Sequence, residues 1–415
     1  METISGRQTP NSLQRGQLLI QKATSLLTSR QESAKEMSSN RRGVSVFFLM
    51  HGLCFATWAS RIPTIQSSLN LSAAALGTIL FALPLGFFIS LAFAGGLIAK
   101  VGSKKAVVLS SILYSISLVC IGVSGSAEQV AGSLLLFGFF ANLLNISMNT
   151  QAVAVEKLYQ KRLLASFHGL WSLAGFAGAA IGGWMIGKAI PPVQHFTLVA
   201  AGFLITIALC ASRLIKKDER TSAKVPFLAL PDKALLGLGL IAFCSMMVEG
   251  AMFDWSGIYM TNVVQVDSEL TGIGYTTFMI AMAGMRFLAD GLTGRFGLKR
   301  ILQLSGILTS IGLLLTVIQP QLPTSVFGFL LIGMGVSSVV PMVYSAAGKS
   351  KTMAAGTAIT AVSSLGFMGF LIGPPAIGFI AEALSLRGSF LSLTIMSVAV
   401  VILSSYLGNE HNSNV

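Results

Sequence analysis

Twelve stretches of this chain are apolar over about 20 residues each, the length a bilayer core demands of a helix, and nothing else in the sequence constrains the fold as tightly. They cover residues 44–66, 72–99, 104–124, 128–155, 163–187, 194–214, 234–263, 270–294, 300–318, 323–347, 353–381 and 388–407. In hydrocarbon a backbone must satisfy its own hydrogen bonds, which makes helices of such segments. Only 10% of the 415 residues are charged and the mean hydropathy is +0.76, against roughly a quarter charged in soluble domains. An all-α membrane protein with twelve transmembrane helices is expected.

Two longer polar regions stand out, residues 1–42 and 215–233. The second separates a six-helix unit, 43–214, from another, 234–407, with a short tail at 408–415. Lys and Arg near helix ends stay cytoplasmic. With an even number of spans both termini share a side, and placing them inside puts every Lys and Arg there except Arg61, Lys188, Arg286 and Arg387. The net charge of +13 therefore reads as topology, and its scatter over many loops argues against nucleic acid as a partner. The first 42 residues lack an apolar core after a basic start, so a cleaved signal peptide is not expected. Leu13, Leu18, Ile20, Leu26 and Leu27 oppose Arg15, Lys22 and Arg30 in a loose stripe, which leaves an interfacial helix or a disordered tail, the latter preferred. Cys54, Cys120, Cys210 and Cys244 lie singly at no ligand spacing and read as packing residues; neither metal nor cofactor is expected.

The two six-helix units echo one another. Gly77, Gly96, Gly102, Gly138, Gly178 and Gly183 each meet another glycine 195 residues on, at Gly272, Gly291, Gly297, Gly333, Gly373 and Gly378. Two pseudo-symmetric halves of long apolar helices are the signature of secondary transporters, whose substrate site lies at the repeat interface. The strongest local match is a short loop between helices. Gly95-Gly96-Leu97-Ile98-Ala99-Lys100-Val101-Gly102-Ser103-Lys104-Lys105 pairs with Asp290-Gly291-Leu292-Thr293-Gly294-Arg295-Phe296-Gly297-Leu298-Lys299-Arg300. Gly102 and Gly297 permit the tight turn, and Lys104, Lys105, Lys299 and Arg300 suit the adjoining helix ends as a conformational gate.

These loops resemble those of the major facilitator superfamily, which carries a glycine, acid, base, glycine, base pattern between helices 2 and 3 and again between 8 and 9. The resemblance covers residues 44–407 and implies two pseudo-symmetric six-helix bundles. Ala99 and Gly294 stand where the pattern has its acid, so the family's charge latch does not carry over at those positions, and Asp290, one helical turn earlier, is the candidate to replace it. His168-Gly169-Leu170-Trp171-Ser172-Leu173-Ala174-Gly175, following Asn149-Thr150-Gln151-Ala152-Val153-Ala154-Val155-Glu156, is similar to the YbjJ-like bacterial carriers, relatives of the fucose-permease branch. That resemblance implies a monomeric multi-pass carrier in a bacterial cytoplasmic membrane. The wider branch uses acids on helices 1 and 4. Here those helices offer His51 and Asn145, Asn149 and Gln151, so a fucose site does not carry over.

Charge sits instead on helices 7 and 8. Glu249-Gly250-Ala251-Met252-Phe253-Asp254-Trp255 mirrors His51-Gly52-Leu53-Cys54-Phe55-Ala56-Thr57-Trp58. An ionisable group at membrane depth is costly unless paired or facing a wet cavity, so Glu249, with Asp254 as alternate, is the proton-coupling candidate. Arg286, roughly 13 Å from its helix end at 1.5 Å per residue, is the counter-charge, to Glu249 or to Asp290. His51 and His168 are weaker proton candidates, more readily explained by packing. Asn142, Asn145 and Asn149 share a helical face; with Gln151 and with Trp58, Trp171 and Trp255 they are candidates for a cavity holding a small polar solute. Glycines on helices 5 and 11, with Pro374-Pro375, suit close packing that also slides. The expected function is a secondary active transporter working by alternating access, coupled to protons, for a sugar or related polar metabolite. Proton-driven efflux of amphipathic drugs is the alternative, since 17 Met and 26 Phe supply an adaptable apolar cavity. No enzyme motif is present.

Overall fold

The computed structural model describes residues 12–160, 163–216 and 230–407. The helices are α1 (Ser12–Ser60, resumed after Arg61 as Ile62–Ser68), α2 (Ala73–Val101), α3 (Ser103–Val123), α4 (Ala127–Tyr159), α5 (Leu164–Gly187) and α6 (Pro192–Cys210). After the central segment come α7 (Lys233–Tyr259), α8 (Ile273–Phe296), α9 (Leu298–Ile318), α10 (Leu322–Ala347), α11 (Ala355–Ala383) and α12 (Leu386–Ser405). Among the described residues eleven helices are long and apolar enough to cross a membrane. The twelfth expected span is α8, whose sequence carries Arg286, Asp290 and Arg295. Its 24 residues reach about 36 Å at 1.5 Å per residue.

One expectation fails at the N-terminus. From Ser12 onward the backbone is helical and runs without interruption into the first span, so the 1–42 boundary falls inside α1. The physical reason is in the residues: no proline lies between Pro10 and Pro63, and Leu, Gln, Arg, Ala and Glu are good helix formers. Residues 1–11, 217–229 and 408–415, with most of the expected linker and the C-terminal tail, lie outside the described residues, as do Lys161 and Arg162.

Each half is built the same way. α1 packs on α5, α2 on α4, and α3 on both α4 and α6; then α7 packs on α11, α8 on α10, and α9 on both α10 and α12. The fold is the expected pair of pseudo-symmetric six-helix bundles. The halves meet chiefly through α5 with α8 and α2 with α11, contacts that the repeat exchanges.

The glycine echo has a direct structural meaning. A Cβ on Gly138 would stand 2.0 Å from the Leu83 carbonyl oxygen, and one on Gly333 would stand 2.4 Å from that of Phe278, the same contact displaced by 195 residues in both partners. Between the halves, a Cβ on Gly77 would meet the Pro374 oxygen at 2.7 Å and Gly378 at 3.0 Å. Gly272 repeats this against Ala179 and Gly183, at 3.2 and 3.9 Å. Bare backbone thus closes the end of the molecule away from the basic loops. Toward the basic-loop end, Gly95 and Gly96 face open space, as does Gly284 midway along α8.

Gly102 and Gly297 also match, at φ 83°, ψ 152° and φ 82°, ψ 155°. That region is essentially closed to side-chain-bearing residues, which pay of order 1–3 kcal/mol to enter it. Gly102→Ala and Gly297→Ala are each expected to destabilise the protein by roughly that amount, read as a lowered unfolding midpoint in detergent. An unchanged midpoint would show that the turn relaxes freely. Beside the second turn, Lys299 Nζ donates to the Ser405 carbonyl at 2.7 Å, tying α9 to the end of α12. Lys104 is half-buried, while Lys105 and Arg300 are exposed. The Asp290 side chain lies outside the described residues.

Candidate functional site

Glu249 on α7 and Arg286 on α8 meet as the sequence suggested, with Arg286 Nη2 3.4 Å from Glu249 Oε1. Arg286 holds two further groups. Its Nε donates to the Ser337 carbonyl, 3.4 Å away at the break in α10, and its Nη1 donates to Ser172 Oγ on α5 at 3.3 Å. The last of these crosses from one half to the other. The two side chains are 28% and 14% exposed.

A second polar cluster lines the opposite wall in the N-terminal half. His168 Nε2 lies 3.1 Å from Asn149 Oδ1, and Asn149 donates to Asn145 Oδ1 at 3.0 Å. Trp171 Nε1 donates to His51 Nδ1 at 2.8 Å, which leaves the His51 proton on a buried Nε2 without a described partner. His51 also packs against Tyr114, whose hydroxyl is likewise buried and unpartnered. So both histidines are hydrogen-bonded, and His51 is buried within the N-terminal half.

Between this level and the far end runs an aromatic floor. Phe253 meets Phe55 at 5.7 Å between ring centres, Tyr275 at 6.0 Å, Phe278 at 5.8 Å and Phe370 at 6.3 Å. Phe55 and Phe253 hold corresponding places in the mirrored α1 and α7 motifs, so the mirror brings like residues into contact across the interface. Phe87 stacks on Phe370 in the same layer. Asp254, beside Phe253 in sequence, is 8% exposed and makes no ion pair or hydrogen bond among the described residues. Tyr275, its hydroxyl unpartnered among the described residues, lies within electrostatic range of both Asp254 and Glu249. Phe253→Ala is expected to open this floor. In proteoliposomes it should dissipate an imposed pH gradient faster than the parent protein, and an unchanged leak would move the barrier elsewhere.

Four expected cavity residues stand apart from the site. Asn142 donates to Ser90 Oγ at 2.8 Å and the Phe87 carbonyl at 3.0 Å, fastening α4 to α2. Gln151 is fully buried on another face of α4, two residues or about 200° from Asn149. It bonds Ser103 Oγ and both backbone groups of Ile215, anchoring the chain after α6. Trp58 is 1% exposed in the N-terminal core. Trp255 lines a recess of about 430 Å³ on the far side with Gln66, Asn262 and Arg387. Sequence reading missed Ser172, Ser337, Tyr114 and Tyr275, because nothing local marks a serine or tyrosine that completes a site built by another helix.

The sequence matches the family model described as Major Facilitator Superfamily over residues 44–265 and 238–414. The chain belongs to the major facilitator superfamily. Within that superfamily it is 32% identical over 371 residues to an uncharacterized transporter, y4wD, of Sinorhizobium fredii, covering 88% of this chain and 97% of that one. It is 30% identical to the membrane protein MosC of Rhizobium meliloti, over 89% and 90% of the two chains. The fold matches the nucleoside transporter NupG at a TM-score of 0.69 and 12% identity, over 89% and 98%. It matches the E. coli fucose:proton symporter FucP at 0.57 and 15% identity, over 89% and 98%. This major facilitator is thus a multi-pass membrane transporter, and not an enzyme.

Proposed function

We propose that this transporter couples a proton to a small polar solute, with Glu249 as the proton site and Arg286 as its switchable partner. The carrying observation is the position of Arg286, which holds Glu249 in its own half and Ser172 in the other. An arginine beside a carboxyl favours ionisation, whereas apolar burial favours the protonated form. When the halves rock, Arg286 loses Ser172 and its hold on Glu249 changes, so the carboxyl meets the two sides of the membrane with different proton affinities.

Substrate would sit between the Glu249–Arg286 pair and the His168–Asn149–Asn145 cluster, above the aromatic floor. Amides and imidazoles hydrogen-bond hydroxyls, and Trp171 and Phe55 offer apolar faces for a ring. NupG and FucP, named for a nucleoside and for fucose, lend support to a polar ring-shaped solute. By the charge rule the basic-loop end faces the cytoplasm of a bacterium, with both termini inside and the carrier open inward as a monomer.

The test is a melting-temperature screen of purified protein against sugars, nucleosides, amino acids and amphipathic drugs at two pH values. Tight binding stabilises by mass action, and sugars or nucleosides are expected to raise the melting temperature. A response confined to drugs would replace uptake with efflux. A solute that binds but whose accumulation ignores the pH gradient would remove the proton.

A further inference from the structure

Arg61 is a buried charge that the transport site does not use. It interrupts α1 just before Ile62–Ser68 and is 1% exposed. Its guanidinium stays protonated in proteins. Its Nε donates to His195 Nδ1 at 3.2 Å, and His195 is itself fully buried. No described carboxylate lies within salt-bridge distance of it.

That one hydrogen bond fixes the rest of the chemistry. Because His195 Nδ1 accepts, the imidazole is neutral with its proton on Nε2. Among the described residues both His195 Nε2 and Arg61 Nη2 are buried without a hydrogen-bond partner. Among the described residues Arg61 Nη2 thus offers N–H donors and a positive charge with no acceptor and no counter-charge, while the His195 Nε2–H points away on the far side of the ring. His195 lies in the first turn of the 19-residue α6, whose N-cap Pro191 supplies no side-chain cap, so the positive end of a helix dipole adds to the same field. Water would satisfy the hydrogen bonds but not the charge. A buried charge is tolerated when it is paired.

We infer that Arg61, held in place by His195, binds a small monovalent anion at Nη2 inside the N-terminal half. The site lies at a joint. Ser60 packs against Gly182 of α5, and Pro63 packs against Gly257 of α7, so the segment after Arg61 is part of the far-end closure. A bound anion would brace that joint, whichever solute the carrier moves.

The test is the melting temperature of the purified full-length chain in chloride, bromide or nitrate against gluconate, at constant ionic strength, pH and sodium. A saturable rise of about 4 °C or more is expected with the small anions. Arg61→Gln and His195→Phe should each abolish it, and Arg61→Lys should keep part of it. Equal melting in chloride and gluconate overturns the inference, as does a chloride effect undiminished in both variants. If neither variant folds, anomalous diffraction from bromide decides: an ion at Arg61 Nη2 supports the site, and its absence there overturns it.

Discussion

Glu249→Gln is expected to reduce pH-gradient-driven accumulation to the equilibrium level while leaving solute exchange across a liposome membrane intact. Glutamine keeps the size and much of the hydrogen bonding but carries no titratable proton. If Glu249 is the coupling group, movement down a concentration gradient survives and work against one does not. Arg286→Lys should give an intermediate result, because a lysine keeps the charge yet cannot reach Glu249, Ser337 and Ser172 together with a planar fork. Full gradient-driven accumulation by the Glu249→Gln protein would move coupling to Asp254, the remaining buried acid on α7.

Gly77→Leu is expected to give a folded protein that cannot close its far end. A side chain there would collide with the Pro374 oxygen and with Gly378 across the interface between halves. Transport should fall by about a hundredfold or more, in line with blocking an obligatory conformational step. A cysteine at Phe370, in a background lacking the four native cysteines, should become reactive to an impermeant maleimide from the far side. Gly96→Leu is the control, since its Cβ meets nothing within 4 Å. Normal transport by the Gly77→Leu protein would show that this contact is not part of the working cycle.

Hydropathy alone carried the number of helices, and the 195-residue glycine spacing carried the pairing of the halves, because both properties are periodic along the chain. The Glu249–Arg286 pair was legible for a different reason. Charges inside apolar spans are so costly that they seek one another. Asn142 and Gln151 were not legible. Shared helical spacing shows which residues lie on one face, but a face toward a neighbouring helix, toward lipid and toward a cavity can have the same residue pattern. Asn142 finds Ser90 and Gln151 finds Ile215, partners 52 and 64 residues away. Trp255 shares its helix with Glu249 yet is fully buried beside the far-side recess, since six residues are about 600° of turn and 9 Å of rise.

The far-end closure by bare glycine backbone bears on turnover. Its inter-half glycine contacts carry no ion pair; the one ion pair among the described residues, Glu249–Arg286, lies within a single half. Opening there breaks van der Waals surface and the hydrogen bond from the Ala74 amide to Glu382. A latch this shallow adds little to the free-energy cost of opening the far end. Every 1.4 kcal/mol of difference between the inward and outward forms would shift their ratio about tenfold, so a shallow latch leaves less for a weakly held solute or one proton to overcome. The rate of switching should then vary only modestly with ionic strength, because among the described residues the one charged contact across that gate is Glu382 on the Ala74 amide.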